Sequence, residues 1–165
     1  VCIDADWIDG AMVYGELVLP GASREQVVIS AHLCHPSLAN DNLSGLVVAA
    51  YLGQLLLDRA RRMTYRILFV PSTVGPLAWM QANRQDLALV RAGLVLTGVG
   101  DPGALHYKRS RRGEALIDRA ASLVVKRRWG VTQDFEPIGY DERQYCSPGF
   151  NLPVGCLMRT PWGTY

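Results

Sequence analysis

The sequence predicts an α/β fold, a three-layer α/β/α sandwich built on a mostly parallel mixed sheet. Two observations predict it. Short apolar runs of strand length alternate with helix-length apolar runs along the chain. Polar residues able to do chemistry (His32, Ser72, Asp101) follow three of the short runs, and ligands of α/β folds gather outside the carboxyl ends of parallel strands.

Taken in order, residues 11–20 alternate loosely and stop at Pro20-Gly21, which reads as a strand forming an entering hairpin or a sheet edge. Residues 26–30 read as a buried strand. Residues 44–62 read as a helix opened by the turn Asp41-Asn42-Leu43-Ser44-Gly45. Its apolar residues, among them Val47, Val48, Tyr51, Leu55 and Leu57, cover more than one stripe, so the helix is expected to lie between the sheet and another layer. Residues 65–70 form the next strand, closed by Pro71, and residues 76–84 a helix with proline in its first turn. Residues 93–99 read as a strand and residues 114–128 as an amphipathic helix with Leu116, Ile117, Ala120, Leu123 and Val124 inward. Residues 152–158 read as the last buried strand.

Composition narrows the function. A chain of 165 residues, 49% hydrophobic and 19% charged, matches one soluble globular domain. The formal charge of +2 is too small to point to nucleic acid, and Lys108, Arg109, Arg111 and Arg112 read as a solvated loop. Nothing resembles a signal peptide or a membrane span, so a cytoplasmic protein with no membrane partner is expected. The cysteines at 2, 34, 146 and 156 form no Cys-x-x-Cys pair, and reduced thiols are expected, with Cys34 and Cys146 buried and inert. Both ends read as cut from something longer, which makes residues 1–165 a single, truncated domain.

The strongest constellation is His32, His35 and Asp41 after one strand, Ser72-Thr73 after the next and Asp101 after a third. Imidazole nitrogen and carboxylate oxygen suit zinc, and a carboxylate can bridge two ions. Each residue alone has a plainer reading. Asp41 and Asn42 would form a turn and helix cap, His32 would be a satisfied core histidine, and Asp101 would open an Asp-Pro-Gly turn. Their joint placement on one sheet edge favours a site. His106 reads as a strand or surface histidine, Arg143 and Arg159 as partners for a substrate carboxylate or for Asp141 and Glu142, and Trp79, Trp129 and Trp162 as core or rim aromatics. No histidine motif adjoins Ser44 or Ser72, which argues against a serine hydrolase.

The stretches from His35 to Gly45 and from Tyr140 to Gly149 resemble the co-catalytic two-zinc aminopeptidase family, and more narrowly a bacterial aminopeptidase-like branch of it. The resemblance implies a zinc-exopeptidase fold, one or two zinc ions, and a peptide or aminoacyl substrate whose first carbonyl is attacked by metal-bound water. By the same resemblance His32 is the first histidine ligand, with His35 as its rival. Asp41 is the bridging carboxylate, Asp101 a terminal ligand, and Asp141 a pocket residue outside the metal set. Three departures stand out. Cys34 occupies the place of an aspartate that orients the histidine. Ser72 replaces the glutamate that serves as general base, a loss worth roughly 10²–10⁴-fold in rate. The last histidine ligand does not occur before Tyr165. A hydrolase, a scaffold that binds peptide or aminoacyl groups without turnover, and an aminoacyl transferase or cyclase therefore all remain open.

Overall fold

The structure, a computed structural model, describes residues 1–164. Seven strands form one sheet in the order β1-β3-β2-β4-β7-β5-β6, with β1 at Gly15–Leu19, β2 at Gln26–His32, β3 at Thr64–Val70, β4 at Val90–Leu96, β5 at His106–Lys108, β6 at Val131–Gln133 and β7 at Val154–Met158. Strands β3, β2, β4 and β7 run parallel, whereas β1 pairs antiparallel to β3 and β5 antiparallel to β7. The mostly parallel mixed sheet is borne out.

The chain leaves β2 through α1 (Gly45–Leu57) to β3 on one side, then returns through α2 (Val74–Ala82) to β4 on the other. The carboxyl end of β2 is thus the point where strand order reverses, and such switch points open a crevice. His32, Ser72, the Gly98–Asp101 loop and Thr160 all follow the ends of parallel strands at this one edge.

Period-two alternation divides the core between the two sheet faces. Val28, Leu68, Val70, Val95, Val154, Cys156 and Met158 meet Trp79, Met80 and Tyr145 on one face, where α2 packs against α4 (Glu142–Tyr145). Ile29, Ala31, Ile67 and Leu96 meet Ala49, Leu46 and Leu52 of α1 on the other. Gly155 marks a close approach, because a Cβ there would lie 2.2 Å from the buried Tyr107 hydroxyl.

Strand β1 forms the sheet edge, one of the two places expected of it, by pairing with β3. Other expectations are corrected. Helix α1 stops at Leu57, and Val47, Tyr51, Leu55 and Leu57 on its outer face are more than half exposed. Helix α3 (Leu116–Arg127) turns Asp118 and Val125 inward and leaves Leu116, Leu123 and Val124 exposed. The cause is Asp118, which accepts from Tyr107 Oη, Ser110 N, Ser110 Oγ and Ala115 N at 2.6–2.9 Å and so fixes the helix face. Lys108 is buried, not solvated, and Trp129 is exposed. Among the described residues no helix is long and apolar enough to cross a membrane.

Candidate functional site

The site grows from the end of β2. His32 is buried, and its Nε2 lies 2.8 Å from Asp41 Oδ1. Asp41 is delivered by the turn Ala39–Ser44, whose cis Asp41–Asn42 peptide leads into α1. His35, half exposed, places its Nε2 3.7 Å from the other oxygen, Asp41 Oδ2. The structure therefore brings both rival histidines to the same carboxylate, one at each oxygen.

Asn42 fixes this turn to the sheet. Its Nδ2 donates to Leu96 O at 2.9 Å, while Oδ1 accepts from Gly45 N at 3.2 Å and Gly98 N at 3.3 Å. Asn40 does the same at the rim, donating to Asp101 Oδ2 at 2.9 Å and Thr160 Oγ1 at 3.0 Å, and accepting from Gly100 N at 2.8 Å. Asn42, expected only as part of a turn and helix cap, does meet Gly45 N at the start of α1 but also ties the turn to β4, and Asn40 and Thr160 escaped the sequence reading. The available signal was the alternation Asn-Asp-Asn in a turn between a strand and a helix, where side-chain amides can replace missing backbone partners.

Asp101 reaches the edge but is engaged there. Its Oδ1 accepts from Gly103 N at 2.7 Å, and its Oδ2 from Asn40 and from the Thr160 hydroxyl. The Thr160 hydroxyl, with the Gly103 and Asn40 donors, holds its carboxyl below the ordinary value, opposed in part by burial. Both the turn reading and the edge placement of Asp101 are visible in this geometry.

Ser72 and Asp141 meet directly. Ser72 Oγ donates to Asp141 Oδ1 at 3.0 Å and Thr73 N to the same oxygen at 2.8 Å. Asp141 is 1% exposed and its Oδ2 has no hydrogen-bond partner. Burial pushes its carboxyl up from the ordinary value, opposed by Thr73 N–H, the His32 ring and the Ser72 hydroxyl. Thr73 itself has φ 66, a left-handed backbone that a β-branched residue rarely adopts. Tyr140 stacks on His32 with ring centroids 6.2 Å apart, and Trp162 meets Tyr140 edge-on at 5.1 Å.

The thiols divide. Cys34 is exposed, against expectation, and its Sγ accepts from Ser72 N at 3.3 Å. Cys146 and Cys156 are buried, and burial pushes both thiols up, so neither is a ready nucleophile. The partner of Glu142 is Lys108 rather than an arginine, and Arg159 donates to Gly103 O. His106 opens β5 and pairs with Met158 at the carboxyl end of β7, two strands beyond the neighbour of β2.

Two clefts flank the His32–Asp41 pair. One, of about 270 Å³, is lined by His32, Cys34, His35, Pro36, Leu43 and Leu46. The other, of about 140 Å³, lies between Leu38, Ala39, Asp41, Gly98, Tyr140 and Thr160. Small-molecule sites commonly combine apolar walls with a few convergent polar groups in this way.

The donor set can be tested against zinc. Closed zinc sites take about four ligands and open ones about three, converging on one point. Among the described residues no three His, Cys, Asp or Glu side chains so converge. The oxygens of Asp101 and Oδ1 of Asp141 are already hydrogen-bonded within the loops. As arranged, these residues do not make a zinc site.

A protein of Clostridium acetobutylicum, assigned provisionally to polysaccharide biosynthesis and described as having an aminopeptidase-like domain, is 41% identical over 165 residues. The match covers 99% of this chain and 38% of that protein, so the chain spans about two fifths of this relative. A crystal structure from Clostridium acetobutylicum, classed provisionally as a peptidase, superposes with a TM-score of 0.88 at 40% identity, covering 92% of this chain and 36% of that one. The structure of a zinc aminopeptidase from Bacillus subtilis superposes with a TM-score of 0.70 at 13% identity, covering 90% and 40%, and shows the shared zinc-exopeptidase-like fold. Residues 5–165 match the family described as a domain of unknown function, DUF4910, and the chain belongs to that family.

Proposed function

We propose that this chain is an aminopeptidase-like domain that binds the aminoacyl end of a peptide, or an aminoacyl small molecule, at the His32–Asp41 edge without hydrolysing it. One observation carries the reading. At the position where the resembling aminopeptidases keep a glutamate base stands Ser72, whose hydroxyl donates a hydrogen bond to Asp141. A hydroxyl is a poor proton acceptor near neutral pH, and the one carboxylate in contact with it is buried and held by two donors. What remains is a recognition surface, with polar groups at the switch point and apolar walls in two adjoining clefts.

The chain's own residues would act as follows. The Asp41 carboxylate, held in place by His32, which is itself covered by Tyr140, would present negative charge to an ammonium group. Leu38, Ala39 and Tyr140 give the smaller cleft its apolar walls.

A second reading, a metal-dependent hydrolase or aminoacyl transferase completed by further residues, has one observation in its favour. Each oxygen of Asp41 faces a different imidazole, which is how a carboxylate shared between two ions would be flanked. Leucine p-nitroanilide with added zinc separates the two. Saturable binding lost in Asp41→Ala, with no release of nitroaniline, is the expected result. Release that disappears with chelator and with Asp41→Ala would establish the second reading in place of the first.

A further inference from the structure

The most heavily organised charges away from the His32–Asp41 pair are Lys108 on β5 and Glu142 on α4. Lys108 is 3% exposed and Glu142 is fully buried. The ammonium donates to Ile138 O at 2.6 Å and Glu136 O at 3.3 Å and forms an ion pair with Glu142 Oε1. Desolvating such a pair is costly, and apolar side chains of the same volume are often at least as stabilising. Its effect lies in what it arranges.

Residues 136–142 wrap around the ammonium. The wrap depends on Gly139, whose φ of +144 suits glycine and whose Cβ would lie 2.5 Å from both Lys108 Nζ and Glu142 Oε1. Immediately beyond it come Tyr140, stacked on His32, and Asp141, which accepts from Ser72 and Thr73. Thr73 keeps its left-handed backbone next to this acceptor, and such conformations persist only where their surroundings hold them.

We propose that Lys108 is a positioning residue: by gathering Glu142 and the carbonyls of residues 136 and 138, it sets Tyr140 against His32 and Asp141 against the Ser72-Thr73 turn. Its functional meaning rests on the edge being the binding site. The geometric claim stands separately and needs no ligand.

The test is amide hydrogen exchange at Thr73, with the Ile67 and Leu68 amides of β3 reporting general opening. Two variants are compared with wild type. Lys108→Met combined with Glu142→Gln removes both charges together, and Gly139→Ala keeps both but obstructs the wrap. In both, Thr73 exchange should accelerate about tenfold or more beyond any change at Ile67 and Leu68. Should the double variant fail to fold, Gly139→Ala decides alone. Thr73 protection that stays at the wild-type level, or falls only in step with β3, would overturn the proposal. A wild type that binds no aminoacyl ligand would remove the site reading, but the exchange result would still decide the role of Lys108.

Discussion

Replacing Asn42 by alanine removes the side chain that joins the Asp41 turn to the sheet, and the structure sets the size of the loss. Asn42 is 2% exposed, and truncation strands two backbone groups: Leu96 O, now bonded at 2.9 Å, and the Gly98 N–H, now bonded at 3.3 Å, whereas the Gly45 N–H keeps its bond to the Asn42 carbonyl. A buried backbone group left without a partner costs about 1–3 kcal/mol. The long bond belongs near the lower end of that range and the short one near its middle. Asn42→Ala should therefore cost about 3 kcal/mol, a sizeable part of the 5–15 kcal/mol that typically separates folded from unfolded states. Urea unfolding followed by circular dichroism measures it, with an unchanged m-value showing that the two end states still expose the same surface. Ser44→Ala in the same turn is the control. The Ser44 hydroxyl donates to Asn40 O and accepts from Val99 N but is only partly buried, so its removal should cost about 1 kcal/mol. If Asn42→Ala costs no more than Ser44→Ala, Asn42 is not what ties the site loop to β4.

Gly45→Ala should destabilise by about 3 kcal/mol in the same assay, because its Cβ would lie 2.4 Å from Leu96 O, a backbone atom that cannot swing aside. Asp118→Ala should cost about 4 kcal/mol by stranding donors at Tyr107, Ser110 and Ala115. Asp118→Asn should recover part of that loss, since one acceptor oxygen remains. Asp141→Asn carries a pH signature. Because burial raises the Asp141 carboxyl above its unfolded value, wild type gains stability from the protonated form in acid and loses it as pH rises through the folded value. Asparagine keeps an acceptor for Ser72 and Thr73 and has no such loss. The stability of Asp141→Asn relative to wild type should therefore rise from acid to neutral pH in parallel urea titrations, and a fall would show that the native state favours the ionised carboxylate.

The sheet was legible because buried parallel strands leave apolar runs in the sequence. The runs at residues 26–30, 65–70 and 152–158 each mark a strand, and the polar residues that follow them do lie on one edge. Strands β5 and β6 were not legible, since three residues apiece, including His106 and Lys108, carry too little periodicity. Apolar pattern alone also misplaced the inward face of α3. There a single buried carboxylate, Asp118, with four donors outweighed the exposure of Leu123 and Val124. The meeting of His32 with Asp41 could be anticipated from strand ends. The Ser72–Asp141 and Lys108–Glu142 pairs join residues 69 and 34 positions apart, and no local pattern in one sequence foretells them.

The most direct measurement is an NMR titration of the ¹⁵N-labelled chain with the dipeptide Leu-Gly in the presence of zinc, reading protein and peptide signals from one sample. The account predicts saturable shifts at the amides of His32, Asp41, Asn42 and Thr73, with the dipeptide intact throughout. Free leucine and glycine accumulating in the tube, or amides at this edge that do not respond, would contradict it.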